Sequence, residues 1–301
     1  MGIIDLKGKK IIVVGGNGYL GGFLTKVLEE NGADVFIISK DCEQTSSQFI
    51  IDITNFDETY KIIQKIKPDI VYHLAANISR NRDFSIYEKM AAVNVQGTLN
   101  ILRSLEGIDA HFIFTSTSEI YGNNISPFHE NQIPKPVSPY SLSKISAEML
   151  IQTYCTNHSK KYTNLRVFNF YGENMPEAFF IPQMINSLKK GEDFLMTKGE
   201  QVRDFLYVGD VVNALVLTAQ NTNSYGETMN VCSGQGTKLS KLASAVNTSM
   251  NTKAKIVLGA IPYRDNEVWE MIGDQSKIKK SIGFEPKISI DKGIEIVINH
   301  S

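Results

Sequence analysis

The chain is poor in cysteine, in long apolar runs and in any excess of one charge, and each shortage removes a class of function. Its 31 basic and 32 acidic side chains leave a formal charge of -1. No polyanion-binding surface of the nucleic-acid type is expected, and any phosphate must be met locally. Cys42, Cys155 and Cys232 are odd in number, far apart and outside any CxxC spacing. They fit reduced core thiols in a cytosol better than a disulfide or zinc framework, so no metal is expected. No apolar run approaches a membrane span, and MGIIDLKGKKIIVVGG lacks a long apolar segment followed by a cleavage site. Gly2 does not begin a myristoylation motif, because Leu6 stands where that motif needs Ser or Thr. The expectation is a soluble, cytoplasmic protein without internal repeats or low-complexity tracts.

What is present is enough apolar material for a large core: 301 residues, of which 42% are apolar and 21% charged. Short apolar runs recur at 10–16, 34–39, 69–75, 111–116 and 164–170, with helical stretches between them. That alternation predicts an α/β fold, a Rossmann-type doubly wound parallel sheet with helical crossovers. In YLGGFLTKVLEENGA, Leu20, Phe23, Leu24, Val27 and Leu28 share one helical face before Asn31-Gly32 ends the helix. From about Gly172 prolines and looser strand signals predict a smaller C-terminal region. The large domain is expected over 1–172 with a return segment near 205–232, including a helix from Val208 to Gln220. The smaller region takes 173–204 and 233–301.

The first strand ends in GGNGYLG, placing Gly15, Gly18 and Gly21 at a strand-to-helix turn with Asn17, Tyr19 and Leu20 between them. Glycine there lets backbone approach a pyrophosphate, which then sits on N–H groups at the helix N-terminus. The second strand closes with Ser39 and Lys40, where an acidic residue normally takes the adenosine ribose. A hydroxyl followed by an ammonium accepts a 2'-phosphate that a carboxylate would repel, which favours NADP over NAD. The competing reading leaves Lys40 solvated and gives the ribose to Asp41.

Further on, FTSTSEIYG ends a strand in four hydroxyl residues and a lone carboxylate, Glu119, a pattern that a simple turn also explains. PYSLSK then opens a helical run in which Tyr140 and Lys144 lie one turn apart on the same face. A phenol near its free pKa of about 10 is a poor base at neutral pH, and a nearby ammonium favours phenolate.

With these residues in place the chain resembles the extended short-chain dehydrogenase/reductases, in their nucleotide-sugar epimerase/dehydratase branch. The resemblance runs over nearly the whole length, through VVGGNGYLG, FIIDITN, VYHLAA, VNVQGTLNIL, TSTSEIYG, PYSLSK, LRVFNFYG, GEQVRDFLYVGDVV and AIPYRDNEVWEMIGDQSKIKKSIGFEP. It implies that Asp52 and Ile53 touch adenine, that Leu74, Ala75, Ala76 and Asn94 lie along the cofactor, and that Lys144 binds the nicotinamide ribose. Thr117 and Tyr140 would flank the reacting sugar hydroxyl, with Ser118 nearby. Asn169, Arg203 and Arg264 would hold the nucleotide diphosphate; taken singly, the two arginines also read as surface ion pairs with Asp204 and Asp265.

Within the branch, Ser39-Lys40 and the likeness of GAIPYRDNEVWE to the CDP-abequose synthase group favour an NADP-dependent 4-ketoreductase serving surface-polysaccharide sugars. Epimerase and dehydratase or decarboxylase readings remain open through Glu119, the candidate for an extra acid or base. Glu119 follows Thr117 by two residues, so an extended backbone would turn both to one side. A non-catalytic NADP-binding sensor is the reading from another class. The resemblance also implies a homodimer that packs the helices Ile86 to Ser104 and Tyr140 to Asn157 into a four-helix interface.

Overall fold

The computed structural model describes residues 6–79, 81–250, 252–265 and 267–300. In chain order, β1 (Lys10–Val14), α1 (Tyr19–Glu30), β2 (Asp34–Ser39), β3 (Gln48–Ile50), α2 (Phe56–Ile66) and β4 (Ile70–His73) come first. A helical rod follows, made of α3 (Tyr87–Ala91), a π-helical stretch (Ala92–Gly97) and α4 (Thr98–Ser104). Then come β5 (His111–Thr117), α5 (Pro139–Asn157), β6 (Lys161–Val167), β7 (Asn169–Tyr171), α6 (Phe180–Lys189), β8 (Phe194–Met196), β9 (Val202–Tyr207) and α7 (Val208–Gln220). The chain closes with β10 (Glu227–Val231), β11 (Gly236–Lys238), α8 (Leu239–Met250), β12 (Ile256–Leu258), β13 (Glu270–Met271), α9 (Ser276–Ile282) and α10 (Ile290–His300).

Seven described strands form one parallel sheet in the order β10-β6-β5-β4-β1-β2-β3. Strand residues alternate between two buried faces, as the two-residue period requires. Ile11, Val13, Tyr72, Ile113 and Leu165 pack with Leu24 and Leu28 of α1 and Val211 and Leu215 of α7. Ile12, Val14, Val71, Phe112 and Phe114 pack on the other side with Ile62 and Ile63 of α2, Ile101 of α4, and Ala147 and Ile151 of α5. The sheet is therefore doubly wound, as the sequence predicts. Strand order reverses at β1, whose neighbours are β2 and β4. Ligands of open α/β sheets bind in the crevice at such a reversal, at the strand C-termini.

The apolar run at 164–170 is not one strand. It divides at Phe168, whose N–H donates to Val231 O at 3.0 Å. Its first half continues β6; its second half, β7, leaves for a four-stranded sheet with β9, β11 and β13. The strand edge therefore delivers Asn169 to the junction of the two sheets. Asp204 on β9 fastens that junction. Its carboxylate accepts from the N–H groups of Ser233 (2.8 Å), just past β10, Gly234 (2.9 Å) and Gly273 (3.3 Å), just past β13. Burial raises the Asp204 carboxyl while these donors oppose the shift. Removing a buried acceptor strands its donors. Asp204→Ala is expected to cost about 3 kcal/mol or more of stability; an unchanged melting temperature by calorimetry would contradict this account of the junction.

Candidate active site

Gly15 has φ +85°, and a Cβ there would stand 2.7 Å from Ala75 N, so the turn after β1 lies directly against the end of β4. The turn is fixed on its other side by Gly15 N–H to Ile38 O at 2.8 Å. Gly18 is the N-cap of α1, and no described side chain caps that helix end, which leaves first-turn N–H groups available to a phosphate. Tyr19 and Leu20 form its first turn; the Tyr19 hydroxyl donates to Glu173 O at 3.0 Å. Gly21 faces Gly15 and Gly16 so closely that no Cβ fits. Asn17 donates its amide to Asp41 O at 2.8 Å, tying the turn to the segment after β2.

On that segment Lys40 is paired: its Nζ lies 2.9 Å from Asp52 Oδ2, with both side chains well exposed. Burial would raise the Asp52 carboxyl, but the Thr54 N–H and Lys40 outweigh it and hold it below its ordinary value. Ser39 receives the Asp41 N–H on its hydroxyl at 3.4 Å. Ile53 is buried and its carbonyl accepts from the Asn100 amide.

Beyond β4, Leu74, Ala75 and Ala76 line up half-buried along the crevice edge. Asn94 sits in the π-helical stretch, a distortion that often marks functional positions. Its side chain accepts from Asn77 N–H (2.7 Å) and donates to Asn77 O (3.0 Å) and Ser143 Oγ (2.9 Å). Asn94 thus joins the segment after β4 to α5. His73, fully buried, contacts Thr98 Oγ1 at 2.9 Å, and burial pulls its imidazole down to about 3, with the charge of Lys144 adding to the effect.

PYSLSK folds as a fully capped helix start. Ser138 and Ser141 form a reciprocal capping box and Pro139 occupies the first turn. The motif thereby fixes Tyr140 at the helix entrance, and Ser143 Oγ donates to its carbonyl at 2.7 Å. Burial raises the Tyr140 phenol, and the charge of Glu119 pushes it the same way. The expected lowering by Lys144 is therefore not what the protein imposes by itself. Lys144 is 2% exposed, with Nζ 3.9 Å from the centre of the Phe114 ring. Burial pulls its ammonium down to about 7, opposed by Glu148.

Thr117 ends β5, and its hydroxyl accepts the Glu119 N–H at 3.2 Å. Ser118 to Tyr121 form a 3-10 turn, so the alternation argument for Glu119 fails: its backbone is not extended. Glu119 nevertheless acts on the site, since its charge reaches both Tyr140 and Arg203. Ser118 is buried and donates to Met271 Sδ at 3.2 Å; Asn169 Nδ2 lies 3.6 Å from the same sulfur.

Arg203 does not pair with Asp204. Its Nη2 meets Glu267 Oε1 at 2.9 Å, both side chains being largely buried. Burial lowers Arg203 and Glu267 opposes that, while the charges of Glu119 and Arg264 also reach it. Arg264 is exposed on a cavity of about 700 Å³ that Arg82, Asn123, Val137, Tyr263 and Asp265 also line. Arg82 Nη1 donates to Asp265 O at 3.0 Å, joining two walls of the cavity that are far apart in sequence. Sequence reasoning missed Arg82, Glu267 and Met271. Glu267 and Met271 lie inside the quoted C-terminal motif, but nothing in their spacing names Arg203, Ser118 or Asn169 as neighbours.

The profile of the NAD dependent epimerase/dehydratase family matches residues 11–232. A provisionally named UDP-glucose 4-epimerase of Methanocaldococcus jannaschii is 31% identical over 305 residues, covering 96% of this chain and 97% of that one. CDP-abequose synthase of Salmonella typhimurium is 27% identical over 298 residues, covering 95% and 96%. Among solved structures, the UDP-glucose 4-epimerase of Thermotoga maritima, crystallised with UDP-glucose, is 29% identical with a TM-score of 0.89, over 97% of this chain and 98% of that one. Because the profile takes in the glycine turn and the Tyr140 helix together, the chain belongs to the NAD dependent epimerase/dehydratase family.

Proposed function

We propose that this protein is an NADP-preferring oxidoreductase of nucleotide sugars that moves hydride at sugar C4, with reduction of a 4-keto sugar as its net reaction. The observation that carries the reading is the Tyr140 helix entrance: a phenol on the first turn of a capped helix, with Lys144 one turn on, just after Val137, which lines the same cavity as Arg264.

The chain's own residues fit a dinucleotide. The Gly15–Gly21 turn offers its backbone to the pyrophosphate, Asp52 and Ile53 meet adenine, and Leu74, Ala75 and Ala76 follow the crevice edge. For the 2'-phosphate, Ser39 offers a hydroxyl and Lys40 an ammonium. The Lys40–Asp52 pair is no obstacle, because an exposed pair is worth about 1 kcal/mol or less and a phosphate of charge near -2 competes well for the ammonium. When bound, the nicotinamide supplies or accepts the hydride. Lys144 holds its ribose, Tyr140 gives a proton to the forming C4 oxygen, and Thr117 shares that oxygen's hydrogen bond. Arg264, with Arg203 and Asn169, receives the diphosphate, for which planar guanidinium donors are well suited.

A second reading is favoured by one observation. The Glu119 charge reaches Tyr140, so a carboxylate stands within electrostatic range of the reacting position, where an epimerase or dehydratase working through C3 or C5 needs a base. One assay separates the two readings, following NADPH consumption with a 4-keto nucleotide sugar in deuterated water. Tyr140→Phe is expected to lower turnover by roughly two to four orders of magnitude with NADPH affinity nearly unchanged; near-normal turnover would defeat the reading. Deuterium entering beside the carbonyl, and lost in Glu119→Gln, would replace simple reduction by the second reading.

The functional unit is a homodimer built on the α3–α4 rod and α5, a pairing supported by Met149, an apolar side chain 63% exposed on α5. Sedimentation at micromolar protein is expected to give a dimer, and monomer alone would contradict it.

A further inference from the structure

Under the turn that carries Glu119 lies a buried chain of polar groups that the chemistry above leaves unused. Arg166 on β6 donates to the Glu148 carboxylate through Nε at 3.2 Å and Nη2 at 2.8 Å. Its Nη1 donates to the Tyr121 hydroxyl at 2.9 Å and to Glu130 O at 3.1 Å. The Tyr121 hydroxyl donates to Asn230 Oδ1 at 2.6 Å, and the Asn230 N–H donates to Glu130 Oε1 at 2.7 Å. The Arg166 and Glu148 side chains are 7% and 5% exposed.

Taking such a pair out of water costs several kcal/mol per ion, and apolar residues of similar volume often stabilise a fold as well or better. Stability alone is therefore a weak reason for it. Its placement offers a better one. Tyr140, Lys144 and Glu148 recur every fourth residue on α5 and share one face. Tyr121 closes the turn that starts directly after Thr117. Arg166 is the register partner of Ser116, the residue before Thr117. Arg166 thus holds the third member of the α5 face and the end of the turn through its guanidinium, while its backbone lies in register with β5 beside Thr117.

We propose that Arg166 and Glu148, with Tyr121 as third anchor, are positioning residues that hold Tyr140 and Lys144 in register with Thr117. The proposal rests on the roles given above to Tyr140 and Lys144. It carries an electrostatic consequence. The charged or titratable groups about Lys144 are Glu148 and Tyr140 on α5 and His73 on β4; one step further out Glu119 acts on Tyr140, and Arg166 on β6 is paired with Glu148. Glu148 is the group that opposes the lowering of Lys144 by burial. With Glu148 neutralised, Lys144 releases its proton at lower pH still, and any step that needs the ammonium is lost earlier as pH rises.

The test uses Glu148→Gln and, in case that variant fails to fold, Tyr121→Phe, which removes one hydroxyl. The kinetic readout is kcat and KM for NADPH-dependent 4-keto reduction across pH. The second is the Lys144 titration, followed by NMR of isotope-labelled lysine, which needs no substrate. Both variants are expected to lose roughly tenfold or more in kcat with KM within about twofold. Only Glu148→Gln is expected to move the alkaline limb and the Lys144 titration to lower pH. In Glu148→Gln, activity that only scales with the folded fraction while limb and titration stay in place overturns the proposal; in a folded Tyr121→Phe, an unchanged kcat does so. A parent enzyme without reductase turnover would refute the reaction assigned above, and the Lys144 titration would still decide this inference.

Discussion

Val14, the last residue of β1, accepts two hydrogen bonds at once, from the N–H groups of Leu74 and Ala75 at 2.9 Å each. Those two hydrogen bonds hold the exit of β4 against the glycine turn, where Gly15 and Ala75 leave no room for a side chain between them. The strand order reverses at this seam, so the crevice exists because two backbones touch below it. Everything assigned to a dinucleotide, from the helix α1 N-terminus to the half-buried alanines after β4, is arranged around that contact. The apolar faces described for β1 and β4 supply its depth, since a sheet covered on both sides can bind ligands only along its edge.

The chemistry at the edge is governed by burial. In the protein by itself, desolvation pushes the Tyr140 phenol up and the Lys144 ammonium down, so both groups are biased toward neutrality. A phenol held neutral is a proton donor, which suits delivery of a proton to a carbonyl becoming a hydroxyl. Glu119 reinforces this bias by disfavouring phenolate. The cavity lined by Arg264 is different in character, with the guanidinium groups of Arg82 and Arg264 beside the carboxylate of Asp265 on its walls.

Much of this was legible in the sequence where structure depends on local spacing. β1, β2 and α7 fall where the apolar periodicity puts them, and α5 begins at the PYSLSK run that opens a helix in the sequence. Tyr140 and Lys144 share a face because four residues make one turn. Most of the failures share one cause: the deciding partner is distant in sequence. Residues 164–170 look like one strand because period-two alternation cannot show that Asn169 pairs with Phe205 while Leu165 pairs with Met229. Glu119 is the local exception: it lies in a 3-10 turn where the Thr117 hydroxyl accepts its N–H, a competition between side chain and backbone that hydropathy does not register. Arg203 has Glu267 rather than its neighbour Asp204, whose carboxylate is already engaged by three backbone N–H groups. The same holds for Arg166 and Glu148, eighteen residues apart and joined only once β6 lies beside α5.

The central claim is that hydride moves between NADPH and C4 of a nucleotide sugar bound beside Tyr140. It is tested most directly by supplying NADPH deuterated at the nicotinamide C4, and separately the matching NADH, with a 4-keto nucleotide sugar, and locating the label in the product by mass spectrometry and NMR. The account predicts one deuterium at sugar C4, delivered faster from NADPH than from NADH. Product that forms without label at C4, or no reduced sugar at all from either cofactor, would contradict it.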